Sequence, residues 1–407
     1  MLLIAVTVWV AYYARTALGP LQESMRLALH LSDNQIALLQ GPAQAIPVVL
    51  AAVPLALLID RQPRVRWLFV FAALDLLGTL LTALASTFAV LFLARCLVGL
   101  TAIATLTTAF SLVADLYPPH QRGRSSMILA VCQMAGNSVA FALGGTLLAQ
   151  QGARPDGWRS ALFWPSGLLA LTMLSMLLMR EPARTGVTRE NPSARGAWSQ
   201  LWRYRQLIVP LLSGKVMIEI AFGAVYIWAA PTLLRAFALS PGHVGSIMAT
   251  GLIISGLLGP LVGGTLADVC QRTVGPVRTV SVLSLLALLS TPAALFAVAT
   301  TATSASVLLV IFLVIVNAVI VIESALFTVV IPNEIRGLSV ALSFAAGTLA
   351  ALGLAPLAVS LLSEPLGGPA SIGKALAWIA ATSSVLAALI FALAWRCFHR
   401  SVLLEAR

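Results

Sequence analysis

Six charged side chains stand inside otherwise apolar stretches of this sequence: Arg15, Asp75, Arg95, Lys215, Glu219 and Glu323. A charge at the centre of a bilayer costs roughly 2.5–3.5 kcal/mol on insertion scales, so such residues mark ion or substrate pathways, or neutralise one another. Lys215 and Glu219 are four apart, and with Phe222 and Tyr226 they follow the i, i+4, i+7, i+11 spacing of one helical face. That face has two readings. Glu219 is a protonation or substrate site that Lys215 holds charged until something competes, or the two are an ion pair that only fixes the helix. Arg15 offers a planar fork of donors suited to a phosphate or carboxylate, with Tyr12 on its face; its other reading is a packing residue paired to a neighbouring helix. Asn317 and Glu323 lie six apart on one predicted helix and do not share a face. Asp75 reads as a structural hydrogen-bonding group.

These residues must be positioned by membrane helices. The chain has 407 residues, 59% apolar and only 10% charged, with a mean hydropathy of +0.97, which places it in the membrane class. A spanning helix needs about 20 mostly apolar residues. Twelve stretches qualify: 2–29, 33–59, 67–85, 88–115, 126–150, 160–179, 206–235, 243–267, 277–300, 304–331, 338–362 and 372–397. Long Leu, Ala, Val and Ile runs favour helices over the alternating strands of a barrel. The opening "MLLIAVTVWVAYYARTALG" lacks a positive n-region and reads as a retained first helix rather than a signal peptide. The net charge of +11 is carried mostly by loops on one side, among them Arg61, Arg64, Arg122, Arg184, Arg203, Arg272 and Arg336. By the positive-inside rule that side, with both termini, is cytoplasmic.

No basic segment is interleaved with stacking aromatics, so nucleic acid is not the partner. Cys96, Cys132, Cys270 and Cys397 have no metal or redox spacing. His30, His120, His243 and His399 fall at helix ends or in loops, and no nucleophile-elbow, zinc-protease or phosphate-loop motif occurs. The sequence therefore predicts no enzyme, no cofactor and no metal. Short loops and the absence of an N-x-[ST] acceptor point to a bacterial inner membrane.

The chain divides into an N-terminal six-helix bundle (1–180), a polar cytoplasmic linker (181–205) and a C-terminal six-helix bundle (206–407). The halves echo one another. "ALLIDRQPR" with Asp60 follows the second helix, and "GGTLADVCQR" with Asp268 follows the eighth. "LYPPHQRG" with Pro118, Arg122 and Gly123 follows the fourth, and "VIPNEIRG" with Pro332, Arg336 and Gly337 follows the tenth at a constant offset. A duplicated six-helix unit with a midplane site between the repeats is a signature of secondary transporters. Small residues recur every fourth position in the fifth (Gly136, Ala140, Gly144), eighth (Gly251, Ser255, Gly259, Gly263) and eleventh (Ser343, Gly347, Ala351, Ala355) stretches, which predicts close helix packing.

These loops bring the chain to a family. It resembles the major facilitator superfamily over its full length: "GTLAD" (264–268) fits the loop motif, "ALLIDRQPR" is a degenerate copy, and "RCLVG" (95–99) is similar to the fourth-helix arginine motif. The N-terminal half most resembles the spinster group of lipid transporters, through "YYARTALGPLQESMRLALHLSDNQIALLQG" (12–41), "ADLYPPHQRGRS" (114–125), "GWRSALFWPSG" (157–167) and "REPAR" (180–184). The spinster pattern has Asp before Arg in the first helix, whereas this chain has Ala14 before Arg15, so that aspartate's role does not carry over.

The resemblance implies an all-α membrane protein of two pseudo-symmetric six-helix bundles working by alternating access. It implies a lysophospholipid or similar amphipathic lipid as substrate, with proton coupling; the chain is expected to act as a monomer in the lipid bilayer. The alternatives are an exporter or importer of another amphipathic drug or organic anion, and a receptor or sensor on a transporter scaffold. In the family the first, seventh and tenth helices line the cavity. Arg15, Tyr12, Lys215, Glu219, Phe222, Tyr226 and Asn317 are then substrate-site residues, and Glu219, Glu323 and Arg95 ion-coupling residues. By the same resemblance Asp60, Arg64, Asp115 and Asp268 form a conformational switch on the inner surface.

Overall fold

The computed structural model describes residues 1–151, 154, 156–181, 202, 205–273, 275–331 and 333–405. The architecture is all-helical, and the helices form twelve passes. In order these are Leu2–Ala28; Asp33–Gln40 with Pro42–Arg61; Arg64–Leu84; Phe88–Leu116; Pro119–Gln151; Gly157–Met176; Arg205–Phe237; Pro241–Thr273; Pro276–Ala294 with a 3₁₀ extension Leu295–Val298; Ala302–Val330; Asn333–Thr348 continued by Leu349–Leu354 and Ala355–Ser363; and Ile372–Glu405. Among the described residues ten helices are long and apolar enough to cross a membrane; the second and sixth passes complete the twelve. The proposed linker, 181–205, lies almost wholly outside the described residues.

Local sequence sets the helix starts. Ser32 and Gln35 form a reciprocal capping box ahead of Asp33–Gln40. Thr87 and Thr301 each accept a backbone N–H with the side-chain oxygen at the start of the fourth and tenth passes. Many Thr and Ser hydroxyls within the passes return to carbonyls of the preceding turn, as Thr79 does to Asp75 and Thr108 to Ala104, so the polarity of these hydroxyls is satisfied without water.

The chain forms two compact units: 1–188 with 230–253, and 189–229 with 254–407. In the first unit, the first pass packs on the fifth and sixth, and the third on the fourth and sixth. Ile4, Val8, Tyr12, Leu68, Leu112, Leu129 and Met176 meet in one buried cluster drawn from five passes. In the second unit the ninth pass packs on the twelfth and the tenth. Large apolar side chains such as Leu50, Leu93, Leu171, Leu261 and Leu393 point outward, as lipid-facing surface requires.

Small residues set the closest approaches, though with partners the four-residue stripes did not specify. A methyl on Gly136 would lie 2.4 Å from the Trp9 carbonyl oxygen, and one on Gly144 2.4 Å from Pro20. Those fifth-pass stripe positions therefore admit the first pass. The contact between the fifth and eighth passes, inside the first unit, falls instead on Gly145 and Gly245, residues outside the four-residue stripes. Gly259 and Gly263 meet Asn317 and Ala318 of the tenth pass.

Candidate functional site

Two polar clusters are built inside the apolar passes, one in each unit. In the second unit Lys215 of the seventh pass reaches across to the tenth. Its Nζ donates to Glu323 Oε2 at 3.0 Å, while Glu219 Oε1, on its own helix, stands at 4.0 Å. Glu323 is 1% exposed and Lys215 7%. The short bond thus goes to the carboxylate of the facing helix rather than to the i+4 neighbour that the sequence made conspicuous. Gly347 of the eleventh pass closes the cluster: a methyl there would sit 3.1 Å from Glu219 Oε1 and 3.2 Å from Lys215 Cε. The set holds one ammonium and two carboxyls, so it is neutral when it also holds one proton.

One and two turns further along the seventh pass, Phe222 and Tyr226 stack with ring centroids 5.8 Å apart. Between them Gly223 lies against the eleventh pass, and the Trp228 indole donates to the Pro356 carbonyl at 3.0 Å. Asn317 does not join the Lys215 cluster: its amide donates to Leu313 O at 2.8 Å, and its Cβ side faces Gly259.

In the first unit Arg15 and Arg95 are organised by glutamines. Arg15 Nε donates to Gln44 Oε1 at 3.0 Å. Arg95, 2% exposed, donates from Nη2 to the Arg15 carbonyl at 2.8 Å and reaches Gln40 Oε1 at 3.4 Å. Gln40 donates in turn to Gln22 Oε1 at 3.0 Å. Gly99, one turn beyond Arg95, lets the second pass approach at Gln44. The Arg15 guanidinium lies 5.6 Å from the Tyr12 ring centroid. Asp75, fully buried on the third pass, is within electrostatic reach of Arg95 and Arg15. None of these glutamines is among the candidate residues that the sequence singles out. The signal was present as Gln40 and Gln44, an i, i+4 amide pair beside the Gly41–Pro42 break.

At the ends of the passes, Arg64 is ion-paired with Asp115 and also donates to the Ser111 carbonyl at 3.3 Å, tying the start of the third pass to the end of the fourth. The Glu181 carboxylate accepts the backbone N–H groups of Arg64 and Val65 at 2.7 and 2.8 Å, a cap on a helix N-terminus. The Asp60 side chain lies outside the described residues, and Asp268 is exposed. At the opposite end of the first unit, Arg235 binds Glu23 at 2.6 Å and both oxygens of Asp33 at 2.8 Å, with Arg26 on Glu23 at 2.8 Å. Sequence spacing could not show this four-residue network, because Arg235 is remote in the chain.

A family model described as Major Facilitator Superfamily matches residues 4–230. No curated protein matches the chain. Among solved structures, a bacterial homologue of the human lysosomal transporter Spinster, inward-facing and unoccupied, is similar at a TM-score of 0.82 and 20% identity, covering 98% of this chain and 97% of that one. The nucleoside transporter NupG gives 0.76 at 15% identity over 97% and 98%. A D-xylose–proton symporter gives 0.73 at 17% identity over 96% of each chain.

Proposed function

Because the chain belongs to the major facilitator superfamily, and is therefore a multi-pass membrane transporter rather than an enzyme, we propose that it moves an amphipathic lipid of the lysophospholipid type by alternating access, coupled to protons. The observation that carries the coupling is Lys215 set between two carboxyls of different helices, 3.0 Å from Glu323 and 4.0 Å from Glu219. One cation facing two carboxyls can accept or release a proton without leaving the cluster grossly charged. Buried ionisable groups inside a membrane bundle are characteristic of proton relays.

Arg15, steadied by Gln44 and flanked by Tyr12, is the first unit's candidate for the phosphate of the headgroup, and Lys215, Glu219, Phe222 and Tyr226 are the second unit's candidate substrate residues. Arg95 holds the Arg15 backbone in place and takes part in coupling. Asn317 contributes to the substrate site from the tenth pass. Asp60, Arg64, Asp115 and Asp268 act as the switch at the cytoplasmic ends. Both termini are cytoplasmic in a bacterial inner membrane, and the transporter acts as a monomer. The resemblance of residues 12–41 and 114–125 to the spinster group supports the lipid; the alternative cargo is another amphipathic drug or organic anion.

The test is flux of a labelled lysophospholipid into liposomes holding the purified protein, with and without a pH gradient. Wild-type flux should follow the gradient, and Glu219→Gln should fold normally yet lose that dependence. Gradient-driven flux intact in a well-folded Glu219→Gln protein would remove Glu219 from coupling. No lysophospholipid flux in wild type, alongside flux of a different amphiphile, would reassign the cargo.

A further inference from the structure

A groove of about 590 Å³ runs along the second unit between the twelfth pass and the end of the ninth. It lies apart from both polar clusters. One wall carries Lys374, Trp378, Val385 and Leu386 of the twelfth pass; Leu295 and Val298, on the 3₁₀ turn that ends the ninth, form the other. Ala377 and Ala381 keep the floor low. The Thr382 hydroxyl donates back to the Trp378 carbonyl at 2.6 Å, so it presents no unsatisfied donor to the groove.

The one charged group is Lys374, at the end of the groove. It is exposed and forms no ion pair with any described residue. From Lys374 to Leu386 the helix rises roughly 18 Å, the scale of a phospholipid acyl chain lying in one leaflet, about half of a 30 Å hydrocarbon core. Trp378 follows Lys374 by one turn, at the depth where tryptophan favours the membrane interface. In a bilayer this face meets lipid tails, and a cation at the head of the groove selects among headgroups by charge.

We propose that this groove binds one anionic membrane phospholipid, with its phosphate on Lys374 and an acyl chain laid against Trp378, Ala381 and Val385. The site is separate from the transported cargo and does not depend on its identity. The lipid holds the ends of the ninth and twelfth passes together by filling the space between them.

The probes are phosphatidylglycerol and phosphatidylcholine with identical acyl chains, added to the full-length protein in detergent and followed by native mass spectrometry. Wild type should retain one phosphatidylglycerol about fivefold more strongly than phosphatidylcholine, the preference expected from one lysine near the headgroup. Lys374→Gln, on an exposed side chain, should fold normally and bring the ratio close to one. Ala381→Phe should weaken retention of both lipids. A chain-brominated phosphatidylglycerol should quench the part of the fluorescence that disappears in Trp378→Phe, a readout that needs no groove-filling variant. Equal retention of the two lipids by wild type would overturn the proposal. So would a preference that survives Lys374→Gln, which would place the headgroup on other basic residues, or Trp378 fluorescence that brominated chains leave unquenched.

Discussion

Replacing Lys215 with Met removes the one cation from a cluster of two carboxyls while keeping most of the side-chain volume. With an effective dielectric of about 20, a unit charge at 3.0 Å contributes about 5.5 kcal/mol of Coulomb energy and one at 4.0 Å about 4 kcal/mol. Much of that is offset by the cost of burying the charges. The measurable quantity is the loss when one partner of a buried pair is removed, about 3–5 kcal/mol. Glu323 bears most of it, being 1% exposed and the acceptor of the short bond. Thermal unfolding can be followed with a thiol-reactive dye, because Cys270 is buried in the fold. Lys215→Met should lower Tm by about 4–6 °C near neutral pH. The loss should shrink as pH falls, since protonation of the carboxyls removes the charge left unbalanced. Adding Glu323→Gln to Lys215→Met should recover part of the loss, and a double-mutant cycle would measure the coupling. A Lys215→Met protein with Tm within about 1 °C of wild type across the pH range would show that the ammonium does not balance these carboxyls. It would thereby refute the coupling scheme built on them.

Three other outcomes are expected. Arg15→Gln should raise the KM for a phosphate-bearing lysolipid by about tenfold or more, the loss of a charge-assisted hydrogen bond, while transport of a phosphate-free analogue changes little; equal effects on both would remove the headgroup contact. Glu181→Gln should destabilise the start of the third pass by about 0.3–1 kcal/mol, read as faster amide exchange at Arg64 and Val65 and unchanged exchange in the tenth pass. Gly223→Ala would press a methyl to 1.9 Å from the Ala351 carbonyl oxygen, so overpacking should cost about 1–3 kcal/mol. Gly264→Ala, which meets nothing within 4 Å, should be silent in the same unfolding assay.

The passes were legible because lipid leaves the backbone few choices: long apolar runs must be helical, and their lengths follow from bilayer thickness. The ionisable residues inside them were legible for the same reason, since each is costly and therefore conspicuous. Their partners were not. Lys215 and Glu219 share a face by spacing, yet the short bond goes to Glu323, because a lysine's reach across a helix interface depends on how closely Gly347 and its neighbours let three helices pack. The glutamines around Arg15 and Arg95 are less conspicuous because an uncharged amide costs less in lipid than an ion, and spacing alone does not name the arginines as their partners. In the sequence Glu181 stands only within the REPAR stretch; its capping role depends on where the third pass begins in space. The small-residue stripes indicated close packing correctly but not against which helix, since a periodicity fixes a face and not the neighbour it meets.

The eleventh pass carries a consequence for how this chain tolerates changes in length. Gly347 and Ala351 both face the seventh pass, and so does the Pro356 carbonyl, which accepts from Trp228. In an unbroken α-helix, residues five apart point about 140° away from each other. Here the wider π turn at Leu349–Leu354 brings Pro356 back to the face of Ala351, so it absorbs one residue more than regular winding would hold. Deleting a residue inside that turn lets it rewind as ordinary α-helix, with Gly347 and Pro356 still on a common side. Deleting one between Ser343 and Gly347, ahead of that turn, instead swings everything beyond it by about 100° and parts Trp228 from its acceptor. Along this helix, a deletion is survivable at one turn and ruinous a few residues earlier.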